Sequence, residues 1–198
     1  MESPKTEMTQ GRKGSMTTMI EFSVWKTVVI PANKSKSDLL RELHAVKMGI
    51  DDDLDATWYR LTYSDEPTRE FDLVVTSVSS LVRHENKADY EEICRGAKGF
   101  GLEMCPQEIA LATRLSYADQ PELELLIVCT EVIEICAEKC LPVLHVIKGG
   151  CKYLGMTFIT GEILWDEAVT DRWGTSYPID TKVFEPDCLL VFVKPRNV

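Results

Sequence analysis

The chain has 198 residues, of which 44% are hydrophobic and 27% charged, a balance that builds a core without metals or disulfides and excludes disorder of the whole chain. Its formal net charge is −10, which repels phosphate backbones and anionic headgroups; nucleic acid and membrane are therefore disfavoured, and a protein surface that is basic or neutral is the easier partner. Seven cysteines, an odd number, follow an opening MESPKTEMTQGRKGS with no apolar h-region, so reduced thiols and a cytoplasmic location are expected.

Residues 1–18 are polar and without period, and read as a disordered tail. From Ile20 to Ile30 the chain is β-branched and aromatic, which predicts a strand ended by Pro31. Ser35 or Ser37 then caps a helix whose face is Leu39, Leu43, Val46 and Ile50, with Gly49 as its stop. An acidic loop at Asp51 to Asp55 leads to a short helix near 57–61. The dense apolar run Phe71 to Val78 predicts a strand covered on both faces.

Asn86, with Asp89 three residues on, predicts the cap of a helix with Tyr90, Ile93, Cys94 and Ala97 as its buried stripe, ended by Gly99 and Gly101. Pro106 suits the first turn of another helix, Gln107 to Thr113. Beyond the turn Asp119-Gln120-Pro121 come strands at Glu122 to Glu131, Pro142 to Ile147, Cys151 to Ile159 and Cys188 to Val193, with a tight turn at Lys148-Gly149-Gly150. The longest apolar run, LELLIVCTEVIEI, is broken by Glu124, Glu131 and Glu134 and is too short to span a bilayer. The sum is one α+β domain over residues 20–196, with a helix-rich N-terminal half packed on a mixed or antiparallel sheet and a strand-rich C-terminal half.

The common chemical signatures each fail at a nameable residue. Cys136 and Cys140 are spaced C-x3-C, with Cys129, Cys151 and His145 near, but a zinc tetrahedron needs a second close pair; packing is the better explanation of these residues, and no metal or cofactor is expected. Asp51, Asp53 and Asp55 open like a calcium loop, yet Ala56 and Thr62 stand where Gly and Glu are required. Gly96, Gly99 and Gly101 follow a helix instead of a strand, so they read as stops and turns, not as a phosphate loop. Of the histidines, His84 in a loop is better placed for chemistry than His44 or His145, and there is no serine elbow. Cys105, at a helix start, is a candidate for a lowered thiol pKa. Trp165, Trp173 and Tyr177 fall among Gly and Asp, where aromatics either bind a ligand or pin their own loop.

Three stretches, LVVTSVSSL, KADYEEICRGAKGFGLEMCPQEIALATRLSYADQP and FEPDCLLVFVKPR, resemble a set of uncharacterised bacterial proteins frequent in candidate-phylum and environmental genomes. Those proteins carry a signature of the type LGLELCPAEVGPQLRLQY, then DQP, seen here as FGLEMCPQEIALATRLSYADQP. The resemblance runs from Phe22 to Arg196. It matches Leu102, Cys105, Pro106, Arg114, Leu115, Tyr117, Gln120, Pro121 and Glu131. This chain departs at Leu123-Glu124-Leu125, where those proteins carry Gly-Glu-Trp, and at Phe184, where they carry Trp. The resemblance implies the extent and compartment of the domain and no chemistry.

Two functions follow as expectations. One is a soluble, non-enzymatic binding or interaction domain, with Cys105, Arg114, Tyr117, Gln120, Glu131 and Trp173 as candidate binding residues. The other is a small hydrolase-type enzyme using Arg114 and Tyr117 with nearby carboxylates. An enzyme requires Arg114, Tyr117, Gln120 and Glu131 to converge on one concave pocket. A scaffold requires them to satisfy one another.

Overall fold

The computed structural model describes residues 21–52, 55, 67–82, 87–135, 138–160, 169–170, 176–177 and 183–196. The expected tail, the short helix at 57–61, His84, Asn86, Cys136, Trp165 and Trp173 lie outside them. Strand β1 (Lys26–Ile30) leads to helix α1 (Lys36–Ala45) and the two-residue β2 (Gly49–Ile50). Strand β3 (Arg69–Ser77) runs into the short α2 (Val78–Val82), followed by α3 (Tyr90–Gly99) and α4 (Glu108–Ser116). Then come β4 (Leu125–Val128), β5 (Ile133–Ile135), β6 (Glu138–Val146), β7 (Lys152–Thr160), the two-residue strands β8 (Val169–Thr170) and β9 (Ser176–Tyr177), and β10 (Leu189–Lys194).

Eight strands form one mixed sheet in the order β1-β3-β10-β4-β6-β7-β2, with β5 paired to β6. The β10/β4 and β7/β2 pairs are parallel and the others antiparallel. Side chains alternate across a strand, so each face gathers its own core. On one face Leu73, Leu126, Val128, Leu144 and Val191 meet Leu39, Leu40 and Leu43 of α1 and Ile109 of α4. On the other, Val74, Ile127, Val143, Leu190 and Phe192 meet Val78 and Leu81 of α2 and Ile93 and Ala97 of α3. Helices thus cover both faces, and the centres of β3, β10 and β4 (residues 73–75, 190–193 and 126–128) are apolar runs because both of their faces are covered there.

The expected division into a helical N-terminal half and a strand C-terminal half is corrected. The described helices do fall between residues 36 and 116, but β2 and β3 lie in the same stretch and β1 precedes it. The last strand, β10, inserts between β3 and β4, so both halves of the chain build the sheet centre. Hydrophobic period identifies a strand but not its neighbour.

Local chemistry explains the element ends. Ser35 Oγ accepts from the Asp38 amide at 3.2 Å and the Ser35 amide donates to Asp38 Oδ2 at 2.9 Å, a closed capping box. Helix α1 ends before Gly49: Lys47 takes a φ of 56°, and the Met48 and Lys47 amides donate back to the Leu43 and His44 carbonyls. Val46 is consequently the exposed cap, and Ile50 belongs to a strand. Helix α3 is capped by Asp89, with Glu92 closing the box, in place of the expected Asn86 with Asp89. It ends in the same six-to-one pattern, with Gly101 in the left-handed position. Gly96 is not a stop. A Cβ there would stand 2.7 Å from the Leu81 carbonyl oxygen, so this glycine lets α2 and α3 touch.

Candidate functional site

The buried centre of the sequence signature is Arg114, on the last turn of α4, with no exposed surface. Its two terminal nitrogens donate to Gln120 Oε1 and to the Tyr117 carbonyl. Gln120 Nε2 in turn donates to the Leu144 carbonyl of β6 at 3.0 Å and to the Glu124 carbonyl at 3.2 Å. Tyr117 Oη donates to Glu124 Oε2 at 2.8 Å, and its ring meets Trp25 edge to face at 4.9 Å. Lys26 Nζ closes the helix end by donating to the Ser116 carbonyl at 3.1 Å.

Burial pulls the Arg114 guanidinium down to about 10, while Tyr117 and Glu124 act the other way; the group stays charged at neutral pH. Burial, reinforced by the bond to Glu124, pushes the Tyr117 phenol up to about 12, so it keeps its proton. Arg114, Tyr117 and Gln120 therefore fasten the end of α4 and the Asp119-Gln120-Pro121 turn to β6. Their polar atoms are turned toward one another, toward backbone and toward Glu124, with Arg114 Nε alone of the group buried without a partner.

Glu131 is not part of this group. It lies beyond the end of β4, where with Lys36, Met104, Cys105, Pro106, Gln107 and Glu108 it lines a concave site of about 530 Å³. Three local features build it. The Ser35 box fixes the start of α1 and hence Lys36. Segment 103–105 crosses the sheet end, bridging Glu103 to Val193 and Cys105 to Thr130, which places Met104 and Pro106 beside Glu131. Helix α4 then begins at the cleft with no side-chain cap at Gln107, whose Oε1 instead accepts from Lys36 Nζ at 2.8 Å.

The charges of the cleft are unevenly paired. Glu108 Oε1 is held by Arg69 Nη2 at 3.0 Å. Burial lowers the Lys36 ammonium, opposed by the fields of Glu108 and Glu131. Among the described residues Lys36 closes no ion pair with either glutamate, and Glu131 remains exposed. Met104 is 44% exposed, a flexible apolar side chain at the rim.

Cys105 lines the cleft as a plain buried cysteine, not as an activated thiol. It is 2% exposed, its Sγ lies 3.5 Å from the Val191 carbonyl, and burial raises its pKa. Desolvation outweighs the nearby helix start. Cys129 is raised by the same cause. The metal grouping also separates: Cys140 packs with Leu144 in one core, and His145, five residues on and so on the other face of β6, meets Tyr153 edge to face at 4.9 Å. Asp55, of the calcium-like loop, has its Oδ2 3.1 Å from His44 Nε2.

Sequence reasoning found Cys105 and Glu131 but passed over Lys36, Gln107 and Glu108. These come from two helix starts whose juxtaposition no spacing reveals. No helix among the described residues is long and apolar enough to cross a membrane. No family model, curated protein or solved structure matches the chain, so the chemistry of the cleft rests on its own geometry.

Proposed function

We propose that this protein is a binding domain whose recognition site is the Lys36–Glu131 cleft. The observation that carries the reading is a concave site lined by an ammonium and a carboxylate that, among the described residues, do not pair with each other. Unpaired opposite charges beside apolar surface are what a recognition site needs to orient a ligand. The signature residues Arg114, Tyr117 and Gln120 support this division of labour, because they brace the helix that presents Gln107 and Glu108.

The test compares the purified wild-type protein with Lys36→Met and Glu131→Gln variants of equal thermal stability. Each is incubated with native lysate, and retained proteins and small molecules are identified by mass spectrometry. A binding role predicts species held by the wild type and lost by both variants. Retention indifferent to both substitutions would remove the cleft from consideration.

A further inference from the structure

We propose that the ligand of this cleft is a free α-amino acid with an apolar side chain, its carboxylate against Lys36, its ammonium against Glu131 and its side chain on Met104 and Pro106. The proposal rests on the binding role argued above and specifies its ligand.

The charge pattern decides between ligand classes. Arg69 neutralises Glu108, which leaves one cation, Lys36, and one anion, Glu131, facing the space. A ligand of a single sign would pair with one of these and set like charge beside the other. A dipolar ligand satisfies both. Lys36 is positioned for a carboxylate by a single bond to Gln107, so its ammonium, which has three donor hydrogens, keeps two for a ligand. The start of α4 lines the same side, and the positive end of a helix favours an anion there. Burial weakens the charged form of Lys36 in the empty site, and an arriving carboxylate restores it.

The other charge of the lining, Glu131, suits an ammonium. Glu131 is exposed, and its backbone carbonyl, not its carboxylate, accepts from Thr130 Oγ1 at 2.7 Å. The same lining holds apolar surface: Pro106, rigid, and Met104, adaptable enough to follow side chains of different shape. A cleft of about 530 Å³ admits one amino acid with room to spare, which accommodates apolar side chains of different size.

The experiment is calorimetric titration of the wild-type protein with L-leucine, L-methionine and L-phenylalanine, beside L-leucinamide and N-acetyl-L-leucine. The amide removes the carboxylate charge and mimics a peptide N-terminus. The acetylated form removes the ammonium and mimics a peptide C-terminus. We expect at least one free amino acid to bind and both leucine derivatives to bind at least about tenfold more weakly than leucine. Lys36→Met weakens leucine by a similar factor and leaves leucinamide unchanged; Glu131→Gln weakens leucine and leaves N-acetyl-leucine unchanged.

Equal binding of leucine and either derivative overturns the proposal, as does the failure of all three amino acids at millimolar concentration. The analogue arms use the unmodified protein and so stand even if a variant folds poorly. If the lysate experiment shows cleft-dependent retention while no amino acid binds, the ligand assignment falls and the binding role survives. If both fail, both fall.

Discussion

Lys47 and Leu123 hold backbone conformations that suit glycine, with φ of 56° and 67°. Each places a Cβ against its own carbonyl at a cost of roughly 1–2 kcal/mol. At Lys47 the strain terminates α1. At Leu123, which is 79% exposed, it turns the chain into β4. Lys47→Gly and Leu123→Gly are each expected to raise stability by about 1 kcal/mol, read as a higher denaturant midpoint with an unchanged slope. Arg114 works in the opposite sense. Arg114→Met leaves Gln120 Oε1 and the Tyr117 carbonyl without their buried donor and is expected to cost about 3 kcal/mol. Thiol chemistry separates at the same scale. In the folded protein Cys151, exposed, reacts with an alkylating reagent, whereas Cys105, Cys129 and Cys140 react only as fast as the structure opens, which peptide mass spectrometry after timed labelling distinguishes.

Among the elements, β3 and the end of β10 show how a surface carboxylate is tuned. Hydrogen bonds from Arg196 and then Thr27 hold the Asp72 carboxyl down to about 2. Its folded pKa lies below the unfolded value of about 3.9, so the stabilisation it brings is in place above that value and is lost as pH falls through about 2. Arg196→Met is expected to move Asp72 upward toward about 3.9, seen by following its carboxyl resonance through an acid titration. Helix α3 carries a second test. Asp89→Ala opens its capping box and is expected to cost about 1 kcal/mol, whereas a change at Asn86 leaves the cap of this helix intact.

At the scale of the molecule the last strand holds the first ones together. Strand β10 pairs with β3 on one side and β4 on the other, so removing residues 189–198 leaves two buried strands without their shared neighbour. The truncated chain is expected to lose cooperative unfolding, observed as a broad melt with no common transition across probes. The same placement bears on the cleft, because β4, three residues before Glu131, is held in place by a segment more than sixty residues further along the chain.

The elements with a strong local signal were readable in the sequence: the Ser35 cap, the two-faced burial of β3, the Lys148-Gly149-Gly150 turn and the terminal strand. Each depends on neighbours a few residues away, through capping, period or φ. The signature Arg114, Tyr117 and Gln120 was readable as a group, because it spans one helix end and one turn. The order of the strands, the opposite facing of Cys140 and His145, and the meeting of Lys36 with Glu131 depend on contacts between distant segments. Only the tertiary structure decided these, because a side chain's burial and its electrostatic surroundings are set by what packs against it, and that neighbour is written elsewhere in the chain.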